Sequence, residues 1–198
     1  MRRLLWCLTV ILPVFLLVSC SDNSKAPQES LTAVKAGESK KPAKDNKPKQ
    51  TDRFQPNQVH ILEQNAQVVP VYIQGSALVP PRNPKVLGWW GKKAGSLHGA
   101  TVLVGHTVHT GGGTLDDLEK VAVGTVIPVL DWSKNAFEEV DYKIVKNITI
   151  AKATLAKRAS QLFSQTGPPR LVVVTCENYN WATGHYASNV VVIAKPVF

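Results

Sequence analysis

Short apolar stretches rich in valine and isoleucine recur from residue 55 onward, and glycine, proline and asparagine separate them. Some stretches alternate apolar with polar residues and others are continuously apolar, which is typical of strands covered on one or both faces. The pattern predicts strands at residues 59–62, 67–73, 100–104, 125–130, 141–150, 171–175 and 189–194. It also predicts two short helices, at residues 115–121 and at residues 154–164 with Thr154 as the N-cap.

Seven or eight short strands separated by turn signals indicate an all-β fold, either a closed barrel or a sandwich. A closed barrel would leave no sheet edge free to pair with other chains. Apolar residues make up 44% of the 198 residues, which is enough to build a core. This composition excludes a wholly disordered chain and a polytopic membrane protein.

The first 20 residues have the pattern of a targeting segment. Arg2 and Arg3 precede an apolar run over residues 4–18, which is short for a membrane-spanning helix. The run ends in Leu17-Val18-Ser19-Cys20, which resembles the lipobox of bacterial lipoproteins, whose cysteine receives a lipid and becomes the mature N-terminus. We expect residues 1–20 to be a lipoprotein-type signal peptide with Cys20 as the lipid anchor, or else a signal anchor. Either segment would place the rest of the chain on the outer face of the cytoplasmic membrane.

Residues 21–53 are rich in lysine, proline and serine, with no aromatic residue and no apolar period. Such a segment cannot bury enough apolar surface to offset its ordering entropy, so we expect a disordered tether. Residues 54–198 are then the folded domain. The net charge of +9 suggests a nucleic-acid partner at first, but more than half of it precedes residue 54. The folded part holds no basic cluster interleaved with aromatics, so we expect no nucleic-acid binding.

Cys176 is the one cysteine of the folded domain, and it directly follows the apolar strand predicted at 171–175. A reactive group is often held where a rigid strand opens into a loop. Cys176 is therefore a candidate nucleophile, although a buried structural cysteine is an equally good interpretation of its position.

His106 follows a second apolar strand, at residues 100–104, and the single residue Gly105. A cysteine and a histidine at neighbouring strand ends can form an activated thiolate–imidazole pair. The competing interpretation is metal binding by His106 and His109. Their spacing suits a helix, which the glycine-rich surroundings disfavour, and a closed zinc site needs three or four ligands.

Two segments, Val102-Leu103-Val104-Gly105-His106 and residues 171–176, together resemble the active-site motifs of bacterial sortases. The similarity is greatest to the actinobacterial class E and class F sortases. Residues 80–90 are similar to the segment that precedes the histidine strand in that family, and residues 183–192 are similar to its last loop and strand. The resemblance covers about residues 55–198, in the order of the family.

The resemblance implies a closed β-barrel of about eight strands with one or two short helices, tethered outside the cell by its N-terminus. It implies a cysteine transpeptidase that cleaves a C-terminal Leu-Pro-x-Thr-Gly-like sorting motif in a secreted protein. Cys176 would form the thioester, His106 would be the acid and base, and Thr175 would position its neighbours. The acceptor would be an amine on a cell-wall precursor or a pilin, and no cofactor or metal is implied.

The chain departs from the family at one important position. Sortases place an arginine on the final strand to stabilise the oxyanion, whereas this chain has no arginine after Arg170. Asn189 stands at that position, and its amide can donate a hydrogen bond but carries no charge. Arg158 and Arg170 are further candidates for the missing donor.

Two alternatives to a transpeptidase stay open, and the missing arginine motivates the second of them. The same scaffold would be a hydrolase if water replaced the amine acceptor. It would be a non-catalytic, sortase-like lipoprotein binding cell-wall components if the site had lost its activity.

Overall fold

The computed structural model describes residues 53–75, 77–132 and 137–198 of the chain. In these ranges the strands are β1 Gln58–Ile61, β2 Gln64–Pro70, β3 Ile73–Gln74, β4 Ala77–Leu78, β5 Val86–Gly91, β6 Ala100–Val104, β7 Val126–Asp131, β8 Glu138–Ala151, β9 Arg170–Asn180 and β10 His185–Pro196. Eight of them close a barrel in the order β1-β2-β5-β6-β9-β10-β8-β7, and β3 pairs with β4 in a separate hairpin. The predicted all-β fold and its closed barrel are confirmed.

Most neighbouring strands of the barrel are antiparallel, but two pairs are parallel. The parallel pairs are β2 with β5 and β6 with β9. Strand β10 lies between β8 and β9 and is antiparallel to both. Parallel partners need a long connection, and the one from β6 to β9 contains β7, β8 and the helix α1, Lys152–Leu162. Distant parts of the sequence therefore meet along β6 and β9.

Residues 171–175 are buried without a break because β9 is covered on both faces. Leu171 and Val173 point into the barrel and belong to its main core. Val172 and Val174 belong to a second cluster on the outer face, which packs against side chains of α1 and of β4. The outer face of β9 is thus covered by side chains of α1 and of the β3–β4 hairpin.

The helices of the described part differ in detail from the sequence pattern. The helix predicted at 154–164 begins two residues earlier, and Ala151 is its N-cap with no side-chain hydrogen bond, so Thr154 as the cap was wrong. The helix predicted at 115–121 is a single 3-10 turn, Leu118–Lys120. Strand β5 was not predicted, because Gly88 and Gly91 in its six residues resemble a turn.

The predicted signal segment, residues 1–20, and all but the last residue of the predicted tether lie outside the described residues. Among the residues that are described, no helix is long and apolar enough to cross a membrane.

Candidate active site

The two predicted site segments lie side by side at the ends of β6 and β9. Val104 of β6 is the register partner of Val174 of β9, and the Gly105 N–H donates a hydrogen bond of 3.1 Å to the Val174 carbonyl. His106 lies two residues after Val104, and Cys176 lies two residues after Val174. Since the strands are parallel, both residues lie at the same end of the two strands.

Gly105 lies at the end of β6, where the backbone passes too close to core side chains for a larger residue. A Cβ atom at this position would lie 2.4 Å from Leu87 Cδ2 and 2.9 Å from Leu115 Cδ1, both in the main core. Position 105 therefore faces the inside of the barrel, and the alternation of a strand directs the following residue, His106, to the outer face.

The His106 ring is held in one orientation by a backbone carbonyl. Its Nε2 lies 2.7 Å from the Pro81 oxygen. A carbonyl can only accept, so Nε2 carries the proton in this contact. In the neutral ring Nδ1 is then the nitrogen that can take up a proton. The His106 backbone is fixed as well, because its own carbonyl accepts a 3.2 Å hydrogen bond from Leu115 N–H.

Cys176 is a free, half-buried thiol within β9. It follows Val172 and Val174 at a spacing of two, so its side chain lies on the same outer face as theirs. Burial raises the pKa of the Cys176 thiol, and the positive charge of Lys152 opposes this with a smaller effect. The resting side chain is therefore a neutral thiol at pH 7, and a base must remove its proton before it can attack.

The raised pKa predicts a slow, strongly pH-dependent reaction of Cys176 with iodoacetamide. Without substrate, the alkylation rate of the Cys176-containing peptide should rise about tenfold per pH unit from pH 7 to pH 9, because the thiolate fraction does so below the pKa. The rate is measured by mass spectrometry of digests of the full chain. In the denatured chain the same thiol should react faster at pH 8. A folded-state profile that levels off below pH 8 would contradict the predicted shift.

Asn189 lies next to Cys176 across the β9–β10 ladder. The two residues are register partners in an antiparallel pair, so their side chains share a face. One N–H of the Asn189 amide donates to the Thr175 carbonyl at 3.0 Å. The amide has a second N–H, which is the donor that Asn189 can offer to a bound substrate.

Thr175 is buried and couples the two strand ends from inside. Its Oγ1 lies 3.1 Å from the Gly105 carbonyl and 2.9 Å from Thr107 Oγ1. The Thr107 hydroxyl also lies 3.2 Å from the Leu115 carbonyl. These contacts join the ends of β6 and β9, and the positioning role that the family resemblance implies for Thr175 stays a prediction.

An aromatic cluster beside the site was not identified from the sequence. The rings of His109 and Tyr179 stack with centroids 3.8 Å apart, and Trp181 meets both rings edge-on. Tyr186 contacts the Tyr179 ring, and its hydroxyl donates to the Thr107 carbonyl at 2.6 Å. The cluster ties the β9–β10 hairpin to the loop after His106. The aromatic content of residues 177–186 was the available signal, but it did not reveal the partner loop.

The glycine-rich loop after His106 is held by a carboxylate. Asp116 accepts hydrogen bonds from the backbone N–H groups of Val108, at 2.7 Å, and Gly113, at 2.9 Å. The described residues contain no group of three or more His, Cys, Asp or Glu side chains that could hold a metal ion. The metal interpretation of His106 and His109 therefore gains no third ligand in this part of the chain, and the His109 ring is stacked on Tyr179.

Neither arginine proposed as a substitute donor lies at the Cys176 end of β9. Arg170 begins β9, and its guanidinium is surrounded by carbonyl oxygens at the end of α1 and in the following loop. These acceptors belong to Gln161, Leu162, Ser164, Thr166 and Pro168, at 2.9–3.4 Å. Arg158 is an exposed residue of α1 that borders the same surface cavity as Arg170. The positive charge that opposes the rise in the pKa of the Cys176 thiol is instead that of Lys152.

A free cysteine and an oriented histidine thus lie at the same end of two parallel strands in a closed β-barrel, an arrangement typical of cysteine-dependent enzymes. The family model of the sortase domain matches residues 58–197. The chain belongs to the sortase family and is a cysteine transpeptidase, as the two sequence motifs predict. No curated protein matches it significantly in sequence.

Solved structures similar to this chain include three sortases of the C type. The Streptococcus agalactiae sortase C1, in a complex with MTSET, has a TM-score of 0.53 and 18% identity, covering 72% of this chain and 69% of its own. The Streptococcus suis sortase C1 has a TM-score of 0.52 and 15% identity, covering 72% of this chain and 73% of its own. The Actinomyces oris sortase C-1 has a TM-score of 0.53 and 17% identity, covering 71% of this chain and 73% of its own. At these identities the likeness shows the fold, and the class E or F assignment stays a prediction.

Proposed function

We propose that this chain is an extracellular, membrane-tethered sortase in which Cys176 is the nucleophile and His106 the acid and base. The observation that carries this proposal is the pairing of Val104 with Val174, which brings the two residues that follow, His106 and Cys176, to the same end of neighbouring parallel strands. The role of Asn189 is that of a neutral donor beside Cys176. The substrate is a secreted protein with a C-terminal sorting motif of the Leu-Pro-x-Thr-Gly type.

The proposed reaction has two acyl transfers. His106 takes up the proton of the Cys176 thiol, and the sulfur attacks the scissile carbonyl carbon to form a tetrahedral oxyanion. This intermediate collapses as the C–N bond breaks and His106 gives a proton to the leaving amine, which leaves a thioester on Cys176. The incoming amine then loses a proton to His106 and attacks the thioester, and the Cys176 thiolate leaves. The acceptor is an amine on a cell-wall precursor or a pilin.

An apolar pocket on the outer face supports a peptide with a large apolar side chain. Its cavity of about 250 Å³ lies between the β3–β4 hairpin and α1, and its lining is Ile73, Leu78, Trp90, Ala159, Ser160 and Phe163. Trp90 is the register partner of Val102, on the same outer face as Cys176. We assign this pocket to the leucine of the motif, because an aliphatic side chain gains free energy when an apolar pocket removes it from water.

The finer classification and the location are also part of the proposal. The proline-rich segment before β5 and the order of the two motifs support a class E or F sortase. The apolar run before Cys20 and the lysine-rich segment after it support attachment to the outer face of the cytoplasmic membrane, by a lipid on Cys20 or by a signal anchor.

Intact-protein mass spectrometry tests the proposed reaction. The full chain is incubated with a panel of sorting-motif peptides, first alone and then with triglycine as the amine. We expect a covalent acyl adduct on Cys176, and with triglycine a product whose mass is that of the cleaved peptide joined to the amine. Cys176→Ser is the matched control, because an oxygen nucleophile in this site should not accumulate an adduct.

The masses distinguish the alternatives. A hydrolase would give only the cleaved peptide, with or without triglycine. A non-catalytic binding protein would form no adduct on Cys176 with any peptide, and either result would contradict the transpeptidase.

A further inference from the structure

Three strands place one row of residues beside the nucleophile. Ile150 of β8 pairs with Asn189 of β10, and Asn189 pairs with Cys176 of β9. Strand β8 ends one residue later at Ala151, and α1 begins at Lys152. Lys152 is therefore attached two residues beyond the row that contains the thiol, where strand turns into helix.

No acidic group of the described residues neutralises Lys152. The first turn of α1 contains no acidic residue, and the described ranges hold one ion pair, between Lys120 and Asp117. Lys152 is exposed, and no hydrogen bond of its side chain occurs in the described part. Its positive charge is thus available to a group that becomes negative nearby.

The ionisable groups around Cys176 come from three directions. His106 follows β6, Tyr186 and Glu177 belong to the β9–β10 hairpin, and Lys152 comes from α1. Of these groups, Lys152 is the one whose charge favours the Cys176 thiolate, against the effect of burial. Asn189, on the neighbouring strand, is neutral.

We propose that Lys152 supplies the positive charge that this site needs when Cys176 and the substrate carbonyl become negative. It acts through space on the thiolate from the adjoining helix, and it does so in place of a charged side chain at position 189. The first part concerns the thiol alone, and the second, on the oxyanion, rests on the proposed transpeptidase function.

The first test measures the thiol without any substrate. Lys152→Gln, Lys152→Arg and Lys157→Gln are compared in the full chain, since Lys157 is an exposed lysine of the same helix and its replacement removes the same charge. Alkylation of Cys176 by iodoacetamide, a neutral reagent, is followed from pH 6.5 to pH 10. We expect Lys152→Gln to slow the reaction about two- to fivefold at pH 7.5, the size of an exposed charge–charge effect.

The shape of the profile separates an electrostatic role from a structural one. Lys152→Gln should shift the whole profile to higher pH, and 0.5 M salt should reduce its difference from the wild type. Lys152→Arg and Lys157→Gln should follow the wild type. An equal effect of Lys152→Gln and Lys157→Gln would overturn the proposal. A uniform drop at every pH would also overturn it, because that result indicates altered access to the sulfur.

A second measurement extends the test to the reaction. With a peptide that acylates Cys176, Lys152→Gln should lower kcat/KM by more than it lowers alkylation, because the oxyanion also loses a favourable charge. Equal losses would restrict Lys152 to the thiolate and contradict the second part of the proposal. If no peptide acylates Cys176, the transpeptidase proposal fails, while the alkylation profiles still decide the role of Lys152 at the thiol.

Discussion

His106→Gln should lower kcat/KM for peptide transfer to triglycine by about 10²–10⁴-fold, the usual contribution of a positioned general acid and base. The glutamine amide can still donate to the Pro81 carbonyl, which now holds the His106 ring at 2.7 Å. It cannot accept the thiol proton or return one to the leaving amine, because an amide does not titrate in this range.

The measurement is steady-state transfer with a peptide that acylates Cys176, together with thermal unfolding of both proteins. His98→Gln is the matched control, since His98 is an exposed loop residue and the same substitution there should leave kcat/KM unchanged. The unfolding temperature of His106→Gln should stay within a few degrees of the wild type. Transfer within threefold of the wild type would exclude His106 as the acid and base.

Arg170→Ala should cost about 2–4 kcal/mol of folding free energy, because hydrogen bonds from a charged donor to several carbonyls are lost together. The guanidinium joins the end of α1 to the start of β9, with its shortest bond, 2.9 Å, to the Ser164 carbonyl. Without it these carbonyls at the helix end lose their partner. A domain of this size loses about 2–4 °C in unfolding temperature per kcal/mol, so the expected fall is about 4–16 °C.

Arg158→Ala is the control for Arg170→Ala, because it removes the same charge from an exposed position of α1, the helix whose end Arg170 contacts. It should change the unfolding temperature by no more than 1–2 °C. Arg170→Lys should recover only a small part of the loss, since one ammonium cannot reproduce the planar fork of a guanidinium. Equal unfolding temperatures for Arg170→Ala and Arg158→Ala would show that the carbonyl contacts do not stabilise the domain.

The apolar runs predicted much of the barrel, because burial of a strand on both faces requires apolar side chains whatever its partners are. The strand at Ala100–Val104 was predicted with its exact ends, and residues 171–175 form the buried half of β9. The other half of β9 is polar and was missed. It is extended because it pairs with β10 and is held by the ring of Tyr179 in the aromatic cluster, which are tertiary contacts.

Strand β5 shows a second limit of pattern reasoning. A glycine inside a short apolar segment usually indicates a turn, but Gly88 lies in a strand because another segment approaches it closely. A Cβ at this position would lie 2.7 Å from Val71 Cγ1. Only the folded chain reveals that neighbour.

The candidate site residues were chosen from the sequence, whereas their arrangement could not be predicted from it. His106 and Cys176 each follow an apolar strand, which made both of them candidates. Their position at the same end of two neighbouring strands depends on the parallel pairing of β6 with β9, and the apolar pattern does not specify which strands pair. The contact of Tyr186 with Thr107 and the position of Lys152 likewise depend on how the hairpin and α1 are placed.

The parallel pairing of β6 with β9 has a consequence for the order of folding. The contact between Thr175 and Gly105 joins residues 70 positions apart, and β7, β8 and α1 must fit between them. Contacts of such long range form slowly, because the entropy of closing a large loop is lost before any contact is gained. We therefore expect His106 and Cys176 to lie apart in early folding intermediates. The proposed site should form only when the barrel is nearly complete, so that a partly folded chain has the Cys176 thiol but no activity.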